Sequence, residues 1–260
     1  MLETTKHHPS TARPVPLPSL ATGTLELAMV RTAQELEAVQ RLRYSVFSEE
    51  LQATLAGATS GVDADEYDPW CEHLMVREQH SGRVVGTYRL LTPVNAQRLG
   101  RWYSESEFDL SALEPYRHLT IELGRSCIHP DYRNGGVIML LWAGIANVVK
   151  HLDLRYVLGC ASVSLRDGGM AAAHVWHEAR RVMASSPRLP RLRPHHAYPV
   201  RHLDVDAPAR TPPLIKGYLK VGGRICGEPA WDPDFNTADF PIFLDLEDMD
   251  PRYRRHFGME

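Results

Sequence analysis

A single mixed α/β domain is the fold class that the 260-residue chain predicts. Three observations carry it. Strand-like and helix-like runs are interspersed along the chain, and one stretch runs strand, glycine turn, helix, strand, as in a βαβ unit. No segment repeats another at a fixed period. The composition, 43% apolar and 23% charged, is that of an ordinary globular protein long enough to bury a core without metal or disulfide staples.

Residues 1–23 are rich in Thr, Ser, His and Pro and read as a flexible arm. A first strand fits Leu25 to Val30. Thr32 followed by Glu35 has the form of a capping box, opening a helix through about Phe47 with Leu36, Val39, Leu42 and Val46 on one face. Residues 48–70, with Gly57, Gly61 and the acids Asp63, Asp65, Glu66 and Asp68, read as a long loop of the kind that often carries function. His73 to Glu78 and Arg83 to Leu91 form a strand pair around Gln79-His80-Ser81-Gly82. A partly helical excursion over 98–117 leads to a strand from Leu119 to Ile128, a turn, a helix from Val137 to His151, a strand from Arg155 to Ser162 and a helix around Ala171 to Met183. Residues 184–213, dominated by Pro, Arg and His, read as an insertion. Strands are expected at Leu214 to Val221 and Phe240 to Leu246, with Gly222-Gly223 between them as a turn, and 251–260 as a tail behind a domain spanning 24–250.

The formal charge of -3 gives no sign of a nucleic-acid partner. Cys71, Cys127, Cys160 and Cys226 stand singly, without the C-x-x-C spacing of a zinc or redox site, and read as reduced core or site residues. His7-His8 and His195-His196 lack matching ligand spacing, so no metal is expected. Prolines 9, 14, 16 and 18 break the N-terminus and no run reaches the ~18 apolar residues of a membrane span, which places the chain in the cytoplasm. The basic residues Arg180, Arg181, Arg188, Arg191, Arg193, His195, His196, Arg201 and His202 read either as a solvated surface or as a face that steers an acidic carrier protein or meets an anionic membrane peripherally.

The most informative stretch runs from Ile121 to Gly136, IELGRSCIHPDYRNGG. Glycines ahead of a helix N-terminus let backbone amides approach an anion, although a Gly-Gly turn is also simply a turn. His129-Pro130-Asp131-Tyr132-Arg133 followed by glycines resembles the pantetheine-phosphate loop of GNAT acyltransferases, which usually have R-x-x-G-x-G or R-x-x-G-x-A. Counting from Arg133, Gly136 takes the place of the first motif glycine, Gly135 is additional and Ile138 stands where the final small residue would be. The resemblance implies a mostly antiparallel mixed sheet flanked by helices. Cys127, Ile128, Arg133, Asn134, Gly135 and Gly136 would contact the donor phosphopantetheine. The departure from the motif points to a donor tethered to acyl carrier protein, with acyl-CoA as the alternative, and no tightly bound cofactor.

Arg43, Phe47, Asp65, Asp68, Arg89, Glu122 and Arg125 resemble the charged pattern of acyl-homoserine-lactone synthases, which share that fold. The alternative for such residues is a structural ion-pair network. Over residues 25–250 the chain resembles most closely the ornithine-acyl carrier protein N-acyltransferases, in Glu72-His73-Leu74, Gly86-Thr87-Tyr88-Arg89-Leu90-Leu91, Glu122-Leu123-Gly124-Arg125, Leu214-Ile215-Lys216-Gly217-Tyr218-Leu219, Cys226 to Asp232 and Asp239 to Phe243. That family makes 3-hydroxyacyl-ornithine, the first step of ornithine-lipid synthesis. The resemblance implies Glu122, Arg89 and Arg125 as catalytic residues and Arg43, Phe47, Asp65 and Asp68 as acceptor-binding ones. Attack by an amine needs a base, for which Glu122 is the candidate, and a backbone N–H near Cys127 or Ile128 could hold the thioester oxygen. Cys127 lacks a paired His and reads as a core residue. Another acceptor amine (glycine, tyrosine or S-adenosylmethionine) and a non-catalytic carrier- or lipid-binding module remain the alternatives.

Overall fold

The computed structural model describes residues 20–55, 61–203 and 210–259. Most of the expected N-terminal arm lies outside them, but its last three residues before the turn at Gly23 form β1 (Leu20–Thr22), paired antiparallel with β2 (Leu25–Met29). Helix α1 (Ala33–Tyr44) carries the expected capping box: Thr32 Oγ1 accepts the Glu35 N–H at 3.1 Å while Glu35 accepts the Thr32 N–H. Its end widens into π-helical turns over Ser45–Glu50, which keep Val46 and Phe47 buried. After the acidic loop come β3 (Glu72–Glu78) and β4 (Val84–Leu91), the expected hairpin. Helix α2 (Pro93–Leu99), short 3-10 turns and β5 (Phe108–Asp109) make up the excursion before β6 (Thr120–Ile128).

Helix α3 (Gly136–His151), strand β7 (Tyr156–Ser164) and helix α4 (Met170–Ala184) follow the expected order. Beyond the short β8 (Arg193–Pro194) the structure departs from expectation. Leu214 to Val221 is not a strand but most of helix α5 (Pro213–Val221). Proline in the first turn suits a helix start, Ile215, Tyr218 and Val221 recur at helical spacing on its inward side, and Gly222 ends it at φ 125°. The β-branched and aromatic content of that segment mimics a strand, but its spacing is helical. Strands β9 (Arg224–Ile225), β10 (Ala230–Asp232) and β11 (Thr237–Asp245) complete the sheet, and helix α6 (Pro251–His256), capped by Asp250, occupies much of the expected tail.

The main sheet runs β1-β2-β3-β4-β6-β7-β11-β10, with β9 also on β11, and every pair is antiparallel except β6/β7. Helix α3 lays Val137, Leu140, Leu141, Ile145, Val148 and Val149 against Leu27, Leu74, Val76 and Tyr88 of one sheet face. Glycine is required at position 86, because a Cβ there would meet Val137 Cγ1 at 2.3 Å; this close approach is what seats the first turn of α3 on the sheet. The basic insertion is partly built into the body: β8 pairs with β5, Leu192 and Ala197 bridge to Gly227 and Ala230, and Leu192 and Val200 are buried.

Candidate active site

The acidic loop folds back across the sheet because its carboxylates meet arginines from three elements. Arg43 of α1, fully buried, donates from Nε to Asp63 Oδ2 at 2.8 Å and from Nη1 and Nη2 to the two Asp68 oxygens at 2.9 and 3.0 Å. Arg89 of β4 donates from Nη1 to both Asp65 oxygens at 2.6 Å and to Asp68 Oδ1 at 2.9 Å. Arg125 of β6 stands 3.4 Å from both Asp63 and Asp65 and donates to the Tyr103 hydroxyl at 3.0 Å. Burial opposes ionisation of Asp68, but Arg43 and Arg89 outweigh it and hold its carboxyl well below the usual range. The charges singled out in the sequence, joined by Asp63, thus meet in one network, with Asp65 and Asp68 already matched by arginines. Arg43 braces the loop from within. Arg125 is the least buried of the three arginines, lying over the Tyr103 and Phe235 rings, and Phe47 packs edge-on against Phe235.

Strand β6 carries one extra residue opposite Tyr88 of β4, and Arg125 takes φ 48° in that bulge. Bulges re-aim side chains, here turning Arg125 toward the acidic loop. Three residues earlier Glu122 is buried, its Oε2 accepting the Tyr103 N–H and its Oε1 the Ser104 N–H, both at 2.7 Å, and the Ser104 hydroxyl at 2.5 Å. Burial pushes its pKa up, against these hydrogen bonds, which makes the carboxylate a better proton acceptor than a free one.

Strands β6 and β7 pair only from Thr120↔Tyr156 to Leu123↔Gly159 and then part. The opening continues into an apolar pocket of about 760 Å³, its mouth included, walled by Leu123, Trp142, Ala146, Val157, Tyr218 and Ile242 among others. His129 donates its N–H to Val85 O, so by the alternation of an antiparallel ladder the Ile128 N–H faces the other edge, where β7 has left. Cys127 is buried and its thiol is pushed up by burial to about 12, the behaviour of an inert core cysteine.

The glycine turn sits at the start of α3. Gly135 is left-handed at φ 96°, and Asn134 Oδ1 accepts the Gly136 N–H at 3.1 Å. Arg133 is held by a two-pronged contact to Glu50 at 2.6 Å and donates from Nε to Ile128 O at 3.0 Å. The helix N-terminus makes an anion-favouring corner at the open edge of β6, with the Arg133 charge beside it already matched by Glu50.

Sequence reasoning missed Ser104 and a trio of acids, Glu107, Asp232 and Asp239, whose carboxylate oxygens lie within 4.8 Å of one another. Burial, then repulsion among the acids, raises the pKa of both Glu107 and Asp239, and Glu107 Oε2 is buried without a partner. Such a site favours one cation. Nothing local in the sequence marks it, because pairing of β11 with β7 and β10 assembles residues more than a hundred positions apart.

A family model described as "Acetyltransferase (GNAT) domain" matches residues 42–143. An L-ornithine N(alpha)-acyltransferase of Rhodobacter capsulatus is 35% identical over 252 residues, covering 89% of this chain and 94% of that protein. One of Agrobacterium fabrum is 35% identical over 257 residues, covering 92% and 86%. Among solved structures, a CoA-dependent acyl-homoserine lactone synthase, MesI, superposes with a TM-score of 0.52 at 14% identity over 90% of this chain and 96% of that one, which shows the shared fold. With relatives at this level of identity over nearly the whole chain, and with the shared fold, the protein belongs to the L-ornithine N(alpha)-acyltransferase family of GNAT-fold acyltransferases.

Proposed function

We propose that the protein transfers a long-chain, 3-hydroxylated fatty acyl group from acyl carrier protein to the α-amine of L-ornithine, the first step of ornithine-lipid synthesis. One observation carries this reading: Glu122, one residue before β6 and β7 part, is linked through the Ser104 hydroxyl to Cys160 on the wall of an apolar pocket suited to an alkyl chain, and Glu107, three residues after Ser104, belongs to an acidic trio suited to an ammonium group. The thioester lies in the opening with its oxygen toward the Ile128 N–H, and the donor phosphate lies at the start of α3 against Arg133, Asn134, Gly135 and Gly136. Glu122 accepts the proton that the attacking amine loses. Arg125 faces the acceptor carboxylate, the acidic trio takes the side-chain ammonium, and Arg43 and Arg89 with Asp65 and Asp68 hold the loop over the site.

A carrier-bound donor is supported by the departure of the glycine turn from the coenzyme A motif and by the basic residues of the 184–213 segment, which would attract an acidic carrier. The same residues suit peripheral contact with an anionic membrane. Among the described residues no helix is long and apolar enough to cross one. The test is incubation with 3-hydroxyacyl carrier protein, acyl-CoA and a panel of amines including S-adenosylmethionine, read by mass spectrometry. Acyl-ornithine is expected, with Glu122→Gln lowering kcat by roughly 10²–10⁴. A different preferred amine would overturn the acceptor, and full activity in Glu122→Gln would remove Glu122 as base.

A further inference from the structure

We propose that the Ser104 hydroxyl is the group that takes the proton directly from the attacking amine, passing its own to Glu122; this rests on the reading of Glu122 as base. Both Glu122 oxygens are engaged from the 103–104 backbone, and the Ser104 hydroxyl hydrogen is committed to Oε1 at 2.5 Å. The lone pairs of Oγ therefore face away from the carboxylate. On that side stands Cys160 Sγ at 3.3 Å. Cys160 is the first β7 residue beyond the last β6/β7 pair, Leu123↔Gly159, and it lines the apolar pocket. Ser104 Oγ thus connects the buried carboxylate to the opening where the thioester is placed.

The contact with Cys160 has a direction. With the serine hydrogen committed to Glu122, Oγ takes the acceptor side of this contact, and burial, reinforced by Glu107 and Asp239, keeps the Cys160 thiol protonated by raising its pKa well above the ordinary value. The S–H occupies the position in which an amine N–H would donate to the same oxygen. Glu107, three residues after Ser104, supplies the first member of the acidic trio. One short segment, residues 103–107, therefore presents the donors that fix Glu122, the hydroxyl that reaches the opening and an anchor for the acceptor's second charge.

In the step itself the amine lone pair forms the C–N bond to the thioester carbon. The N–H proton moves to Ser104 Oγ as the Ser104 O–H proton moves to Glu122 Oε1. Collapse of the tetrahedral intermediate breaks the C–S bond, the electron pair leaves on sulfur, and the proton stored on Glu122 returns through Ser104 to the thiolate. Atoms and charge balance with no further reactant.

Ser104→Ala and Ser104→Thr test the relay through steady-state kinetics, and a proton inventory in mixed H₂O/D₂O on the unmutated enzyme tests it independently of folding. With Ser104→Ala, kcat is expected to fall roughly 100-fold with KM for both substrates little changed, while Ser104→Thr, which keeps the hydroxyl, recovers most of it. The proton inventory on a chemistry-limited single turnover is expected to curve, because two protons move together. A linear inventory, or kcat in Ser104→Ala within about threefold of the parent, overturns the relay. Loss of activity in Glu122→Gln alongside an active Ser104→Ala removes the relay and leaves the base; an active Glu122→Gln removes both.

Discussion

Replacing Asp68 by Asn should cost more stability than its conservative shape suggests. Asp68 is 4% exposed, Arg43 is fully buried and Arg89 is 3% exposed. Three arginines, Arg43, Arg89 and Arg125, face three aspartates, Asp63, Asp65 and Asp68, within hydrogen-bond or ion-pair distance. Neighbouring His73 adds no charge at neutral pH, since burial depresses its pKa to about 4. The neutral amide of Asp68→Asn therefore leaves one buried cation in excess, and breaking such a group from one side costs about 3–5 kcal/mol. At this chain length that is a fall in Tm of roughly 6–20 °C. The pH dependence follows from the sign of the shift. The folded Asp68 carboxyl has a depressed pKa, so its contribution is fully present above the unfolded value of about 4 and is lost as pH falls through that value toward the folded one. Urea denaturation of parent and variant at pH 7 should show the full difference, shrinking below about pH 4. An Arg43→Met/Asp68→Asn double variant, which removes one charge of each sign, should lose less than the two single losses combined. A difference below about 1 kcal/mol at pH 7 would refute the claim that the network is electrostatically closed.

Two further outcomes follow from the cleft. Glu107→Gln should raise KM for the amino acid while stabilising the free enzyme at alkaline pH. Glu107 and Asp239 have raised pKa values in the fold, so the folded state binds more protons than the unfolded one above the ordinary carboxylate range, and stability falls as pH rises there; urea midpoints at pH 5 and pH 8 check the sign. Ala146→Phe puts a ring into the apolar pocket from α3 and should cut kcat/KM for long acyl chains by at least about tenfold while sparing short ones, read from a series of donors of increasing length.

Much of the fold was legible because its signals are local. The Thr32/Glu35 capping box, the strand pair around Gly82 and the apolar run of α3 each declare themselves within a dozen residues or so. The charged set from Arg43 to Arg125 could be gathered by resemblance, yet its internal pairing could not: which carboxylates are neutralised depends on how the loop crosses the sheet. Helix α5 was misread because Ile215, Tyr218 and Val221 are residues that strands also favour, so composition outweighed a spacing visible over only nine positions. The acidic trio was invisible for a different reason. Glu107 comes from the excursion before β6, Asp232 from the edge strand β10 and Asp239 from β11, and only the register of β11 on its neighbours brings them together.

The four residue pairs that join β6 to β7 also set the mechanics of the molecule. On one side lies a raft of β1 to β4 and β6, on the other a raft of β7, β9, β10 and β11, and among the described residues only that short parallel ladder stitches the two together within the sheet. Elsewhere along the seam, strand edges that would normally saturate one another face an opening. A donor lying there would supply amides to those edges and a hydrocarbon chain to the space beneath, acting as the missing length of stitching. The substrate would then be a temporary structural member, and the catalytic groups would gain their final rigidity at the moment a donor arrives.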